Sequence, residues 1–181
     1  MKIRKAAPAD LDVLMDLYGN ARRFMAAHNN PTQWGSSYPS RALLESDIGS
    51  GCSYVCEEHE KVIAAFYYRF GTDDSYRRIF DGAWLDESPY GVVHRITSDG
   101  TVRGAASFCL DWVLSQCGNL RIDTHRDNQV MRHVLEKNQF TRCGTIYLED
   151  GSERIAYQKK TKKVITSTAM LADDAYSKKG H

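Results

Sequence analysis

Apolar positions along the chain change period several times, and each change marks an element. Residues 1–6 read as a short strand, and Pro8 suits the first turn of a helix. Leu11, Leu14, Tyr18, Ala21 and Met25 then recur at three or four residues, which predicts a helix with one buried stripe. His28, Asn29, Asn30 and Pro31 end it, an irregular stretch follows, and a second short helix is expected over about residues 40–49. Residues 52–57 and 61–70 are rich in β-forming residues and flank a polar turn, which predicts an antiparallel hairpin. Residues 71–90 mix aromatic and acidic side chains and read as an extended loop or short helix. After them come a strand over 91–97, a helix over 104–117, a strand over 119–124 and a helix over 128–137. Val130, Met131, Val134 and Leu135 form the expected apolar side of that last helix. A closing hairpin over 143–148 and 153–159 turns at Asp150-Gly151. This order predicts an α/β fold, a mixed central sheet flanked by helices.

Composition narrows the class. The chain has 181 residues, enough for one domain with a sizeable core, and 42% of them are apolar. The formal charge of +1 makes no electrostatic case for nucleic acid, and no stretch reads as a membrane span or a signal-peptide core. The expected setting is the cytoplasm. Five cysteines, an odd number without zinc-like spacing, argue for free thiols and against a metal site. Residues 1–160 are expected to form the domain. The extension 161–181 is expected to pack on it or to pair with a second copy, so the chain is read as monomer or homodimer.

The most informative stretch is HRITSDGTVRGAA, residues 94–106. A hydrophobic strand runs into a turn at Asp99 and Gly100, then into small residues at the start of a helix. Unpaired amides and the positive dipole end of a helix favour an anion there. The next strand and helix follow directly, which makes a slot for a long phosphorylated cofactor. No Walker loop and no G-x-G-x-x-G fingerprint is present.

Strand, small-residue turn, helix, strand, helix and final hairpin together resemble the GCN5-related N-acetyltransferase (GNAT) superfamily, as does the Pro-Ala-Asp-Leu start of the first helix. The resemblance covers nearly all of residues 1–160. The family's diphosphate loop falls on Thr101, Val102, Arg103, Gly104, Ala105 and Ala106, where Gly104 and Ala106 fit and Thr101 replaces a longer side chain. The resemblance implies acetyl-CoA as cofactor and a small-molecule amine or a peptide as acceptor. It implies that Ile96, Thr97 and Ser98 offer backbone groups to the pantetheine arm, and that the amides of Val102 to Ala106 hold the diphosphate. It further implies that Asn128 contacts the arm and that Lys137 approaches the nucleotide phosphate. The family's tyrosine acid has no counterpart, because Leu135 stands at that position and Gln139 replaces the following glycine. A non-catalytic acyl-CoA-binding or sensing module is therefore the alternative reading, and a structural or interaction protein a third.

Transfer to an amine requires removal of the amine's proton and a proton for the leaving thiolate. Histidine titrates near neutrality and serves either end of that exchange. His94 and His125 are the catalytic candidates; strand alternation predicts that His94 shares a face with Ile96. The structural alternatives are a backbone contact for His94 and a loop cap or phosphate contact for His125. Tyr147 and Tyr157 are further hydroxyl candidates, with packing as their default role. Arg22, Arg23, Trp34, Tyr38, Tyr67, Trp84 and Glu87 are candidates for the acceptor pocket. Asp73, Asp74, Asp81, Asp86 and Glu87 are placed to attract a cationic amine.

Overall fold

The computed structural model describes residues 1–161; the expected roles for the tail lie outside the described residues, apart from Thr161. Among the described residues seven strands form one sheet: β1 (Lys2–Lys5), β2 (Ser53–Glu58), β3 (Lys61–Phe70), β4 (Gly91–Ser98), β5 (Asn119–Thr124), β6 (Thr141–Tyr147) and β7 (Glu153–Lys160). Their order is β1-β2-β3-β4-β5-β7-β6. All neighbours are antiparallel except β4 and β5. The helices are α1 (Leu11–Ala27), α2 (Arg41–Gly49), α3 (Ala105–Cys117) and α4 (Gln129–Lys137).

Local chemistry starts and stops these elements. Pro8 opens a short 3-10 turn before α1, and Asp10 accepts the Ala7 amide at 2.7 Å. The same carboxylate takes both ends of the Arg4 guanidinium at 2.7 and 2.9 Å, tying β1 to the start of α1. Ser40 Oγ caps α2 through the Leu43 amide, and Asn128 Oδ1 caps α4 through the Met131 amide.

Leu11, Leu14, Leu17 and Tyr18 bury the inner face of α1 against Leu44, Val55 and Ala65. The opposite face of the sheet packs Cys109, Leu110, Val113 and Leu114 of α3 and Leu135 of α4 onto Ile63, Val93, Ile122 and Tyr157. Burying each such aliphatic side chain contributes about 1.5–3 kcal/mol before entropy is counted. The expected apolar side of α4 needs one correction. Leu135 is buried and Met131 and Val134 are partly so, but Val130 is 49% exposed, because it lies in the first turn beyond the edge of the core.

Residues 71–90 form a strap rather than a free loop, with one 3-10 turn at Asp74–Tyr76. Phe80 pairs with Thr145 at the outer edge of β6 through two hydrogen bonds of 2.8 Å. Covering an edge strand in this way satisfies its unpaired backbone groups. Gly82 passes so close to β6 that a Cβ there would lie 2.0 Å from the Cys143 carbonyl oxygen. Arg121 of β5 clamps the strap's end, its guanidinium carbon 4.2 Å from the Trp84 ring centre and 3.9 Å from that of Tyr90. Arg121 also donates to the Asp86 carbonyl, and Gln158 Oε1 accepts the Leu85 amide.

Candidate functional site

Parallel strands β4 and β5 pair only through Gly91↔Leu120, Val92↔Arg121 and Val93↔Ile122, then part. On its other side β4 stays with β3, where Thr97 and Ser98 lie opposite Ala65 and Ala64. The edge of residues 94–98 that faces β5 is thus outside the ladder. Residues 101–104 follow, leading into α3. Among the described residues, no hydrogen bond engages the amides of Val102, Arg103, Gly104, Ala106 or Ser107. Gly104 holds φ 85°, and a Cβ built on it would have no protein atom within 4 Å. Open space over free amides at a helix start fits a diphosphate.

The predicted cofactor residues distribute around this cradle. The Thr101 amide and hydroxyl both donate to Asp99 Oδ1, at 2.9 and 2.7 Å, so its side chain folds onto the turn. Lys61 reaches the other Asp99 oxygen at 3.0 Å. Lys137 is exposed beside Asn138, whose amide donates to Ser107 Oγ in the first turn of α3 at 2.8 Å. Asn128 caps α4 and donates to Gln33 Oε1 at 2.9 Å, joining α4 to the loop after α1.

A cavity of about 810 Å³ opens where β4 and β5 diverge. Gln33, Trp34 and Tyr38 wall one side, and Tyr147, Asp150 and Arg154 wall the other. His94 stands between them. Its Nε2 is 2.9 Å from Asp73 Oδ2 in the strap, and its Nδ1 is 3.8 Å from Asp123 Oδ1 at the end of β5. Burial pushes the Asp73 carboxyl up, but the His94 hydrogen bond and the Ser75 amide outweigh it and hold Asp73 below the usual carboxylate range. Tyr76 donates to Asp123 Oδ1 at 2.7 Å, and burial followed by that carboxylate raises the phenol well above its ordinary value.

The expected common face of His94 and Ile96 is overturned. Arg95 has φ 52° and lies in a bulge between the paired positions of β3 and β4. The extra residue shifts the alternation, so Ile96 packs with Val93 in the α3 core while His94 meets Asp73 on the other face. The left-handed backbone costs about 1–2 kcal/mol. Tyr18 donates to the Arg95 carbonyl at 3.0 Å, and the buried Arg95 guanidinium pairs with Asp47 at 2.5 Å and stacks over Tyr67, which together hold the bulge.

The structure does not bring His125 into this cavity. Its Nδ1 accepts the Asp127 amide at 3.2 Å, and burial, then Arg154, pulls its pKa below the ordinary imidazole value. Tyr147 lines the cavity and is exposed, whereas Tyr157 is buried in the core. Of the acceptor-pocket candidates, Trp34, Tyr38, Asp73 and Asp74 line the cavity. Arg22, Arg23, Tyr67, Trp84, Asp81, Asp86 and Glu87 do not, and Trp84 is instead part of the Arg121 clamp. Sequence reasoning missed Tyr76, Arg95, Arg154 and the Asp73–His94 contact. The positive φ at Arg95 and a strap spanning 21 residues between partners leave no local signature.

No family model and no curated protein matches the chain. Among solved structures, it is similar to a GNAT family acetyltransferase from Streptococcus agalactiae, with TM-score 0.82 and 31% identity over 90% of this chain and 96% of that one. A further likeness is to an acetyltransferase described as putative from Staphylococcus aureus, with TM-score 0.66 and 23% identity over 90% and 100% of the two chains. A chain of the NatC complex bound to Gag peptide and CoA also shares the fold, with TM-score 0.59 and 11% identity over 90% and 100%.

Proposed function

The chain belongs to the GNAT superfamily of N-acetyltransferases, and on that premise we propose that it moves an acetyl group from acetyl-CoA to the primary amine of a small molecule or peptide held in the same complex. Bound acetyl-CoA would supply the acetyl group as an activated thioester. The free edge of Ile96, Thr97 and Ser98 would hydrogen-bond the pantetheine arm, and the amides from Val102 to Ala106 would hold the diphosphate. Asn128 would orient the arm and Lys137 would meet the nucleotide phosphate.

The observation that most supports a transferase is His94, placed at the parting of β4 and β5 with Asp73 at 2.9 Å from its Nε2. With Nε2–H donated to Asp73, Nδ1 has no hydrogen-bond partner among the described residues and is available as the proton acceptor. An ammonium seated in the cavity would lose its proton to His94 Nδ1, a general-base contribution of about 10²–10⁴ in rate, and the freed amine would form the amide bond as the acetyl–sulfur bond breaks, the CoA sulfur taking up the second proton that the nitrogen sheds. Asp73, Asp74, Asp123, Glu149 and Asp150 line the cavity, while its two arginines are committed, Arg95 to Asp47 and Arg154 to Asp123. The resulting field favours a cationic amine. Leu135 is fully buried, so α4 presents an apolar side chain where the family's tyrosine acid would be.

That leucine is also what favours the alternative, a module that binds acyl-CoA without turnover. Thermal stabilisation and free-thiol release, measured with acetyl-CoA and a panel of amines and peptides, separate the two. Stabilisation with amine-dependent release is expected, and His94→Gln should keep the stabilisation while losing most of the release. Stabilisation of the wild type without release from any acceptor would favour the binding module. Full turnover by His94→Gln would remove His94 as the base.

A further inference from the structure

We propose that Tyr76 and Asp123 are positioning residues that keep His94 Nδ1 open to the cavity. The inference rests on the assignment of His94 as the base, and it concerns groups that this assignment does not itself require.

The geometry is a relay of three side chains from three elements. Tyr76 comes from the 3-10 turn of the strap, Asp123 from the end of β5 and His94 from β4. Tyr76 is 1% exposed, and its hydroxyl donates to Asp123 Oδ1 at 2.7 Å. The same oxygen is 3.8 Å from His94 Nδ1, too far for a hydrogen bond. Arg154 Nε lies 3.8 Å from the other oxygen, Oδ2. Asp123 is therefore held from both sides at a distance where its charge is felt by the imidazole but its oxygen does not occupy Nδ1. Asp73 already engages Nε2, so a second carboxylate bond would leave the ring no free acceptor.

The charged and titratable groups around the ring come from every neighbouring element. The strap supplies Asp73 and Tyr76, and β3 supplies Tyr67, with Arg69 4.0 Å from Asp73 Oδ2. Arg95 follows His94 on β4 and is paired with Asp47 of α2. Asp123 and Arg154 come from β5 and β7, and Asp74, Glu149 and Asp150 line the same cavity. Among the described residues, only the Tyr76–Asp123 hydrogen bond restrains the oxygen nearest Nδ1.

The two residues then carry opposite signatures. In Tyr76→Phe, Asp123 Oδ1 loses its donor and is free to close on His94 Nδ1. The acid limb of kcat/KM should move to higher pH by about one unit, and the plateau should fall by about ten-fold or more as Nδ1 is captured. In Asp123→Asn a negative charge beside the ring is lost, and the acid limb should move to lower pH by about one unit. A purely structural role would lower thermal stability or rate in both variants without moving the limb.

The test pairs those profiles with ¹⁵N NMR of the histidine side chains across pH in the protein without cofactor. NMR reports the protonation midpoint of His94 and which nitrogen carries the proton. Opposite displacements of the His94 midpoint in folded Tyr76→Phe and Asp123→Asn would support the proposal. Unmoved midpoints, or displacement in one direction for both, would overturn it. The NMR result stands even if no acceptor yields turnover, so failure of the acetyltransferase assignment and failure of the positioning proposal are read separately.

Discussion

A side chain at Gly104 tests the cofactor cradle at the point where fold and ligand are most nearly independent. The residue holds φ 85°, and a Cβ there meets no protein atom within 4 Å. Gly104→Ala therefore introduces backbone strain of about 1–2 kcal/mol but no clash within the protein. In a domain of this size that lowers Tm by roughly 2–8 °C. The new methyl projects over amides that among the described residues donate to nothing else. Displacing a phosphate oxygen from one such amide removes a charge-assisted hydrogen bond worth about 1.5–3 kcal/mol. The expected weakening of CoA binding is thus about 10–100-fold. Gly104→Asn separates the two effects, since asparagine tolerates the left-handed region while still filling the space. Isothermal titration with CoA, alongside thermal melts, reads both quantities. Folded Ala and Asn variants that bind CoA within about two-fold of wild type would refute the cradle; weakening by Ala but not Asn would assign the effect to strain.

Two predictions concern what holds the site's neighbours. Arg121→Leu removes two stacking contacts and the bond to the Asp86 carbonyl, so stability should fall by about 2–4 kcal/mol in chemical denaturation. Amide exchange across residues 73–90 should speed up more than in the rest of the sheet, and uniform change would argue against a clamp. Asp10 is held below the usual carboxylate range chiefly by the Arg4 hydrogen bonds, against burial and with help from the Ala7 amide. A carboxyl with a depressed folded-state pKa contributes stability above its unfolded pKa, near 4, and loses it as pH falls through the folded value. Asp10→Asn should therefore cost about 1–2 kcal/mol at neutral pH, after discounting for the part-exposed Arg4, and the gap to wild type should close below about pH 4. A gap that stays constant down to pH 2 would contradict the ion pair's role.

Much of this protein was legible from local pattern. The 3- and 4-residue spacing of Leu11, Leu14 and Tyr18, the β-rich hairpin over 52–70 and the helix expected over 128–137 each report interactions within a few residues along the chain. The small-residue entry to α3 is also local, because it depends on one turn's φ and its unpaired amides. What escaped the sequence is long-range. The bulge at Arg95 exists because Tyr18, Asp47 and Tyr67, from three other elements, hold it, and it alone sends His94 and Ile96 to opposite faces. Asp73 becomes the partner of His94 only because Arg121, Gln158 and the edge of β6 anchor the strap that carries it. The restraint of Asp123 by Tyr76, 47 residues away along the chain, likewise depends on the fold. Sequence alone thus determined the elements, their order and the small-residue turn into α3, since those arise from neighbours a few residues apart. Tertiary structure decided which titratable groups meet at the divergence of β4 and β5, since that depends on register, splay and a strap with no local code.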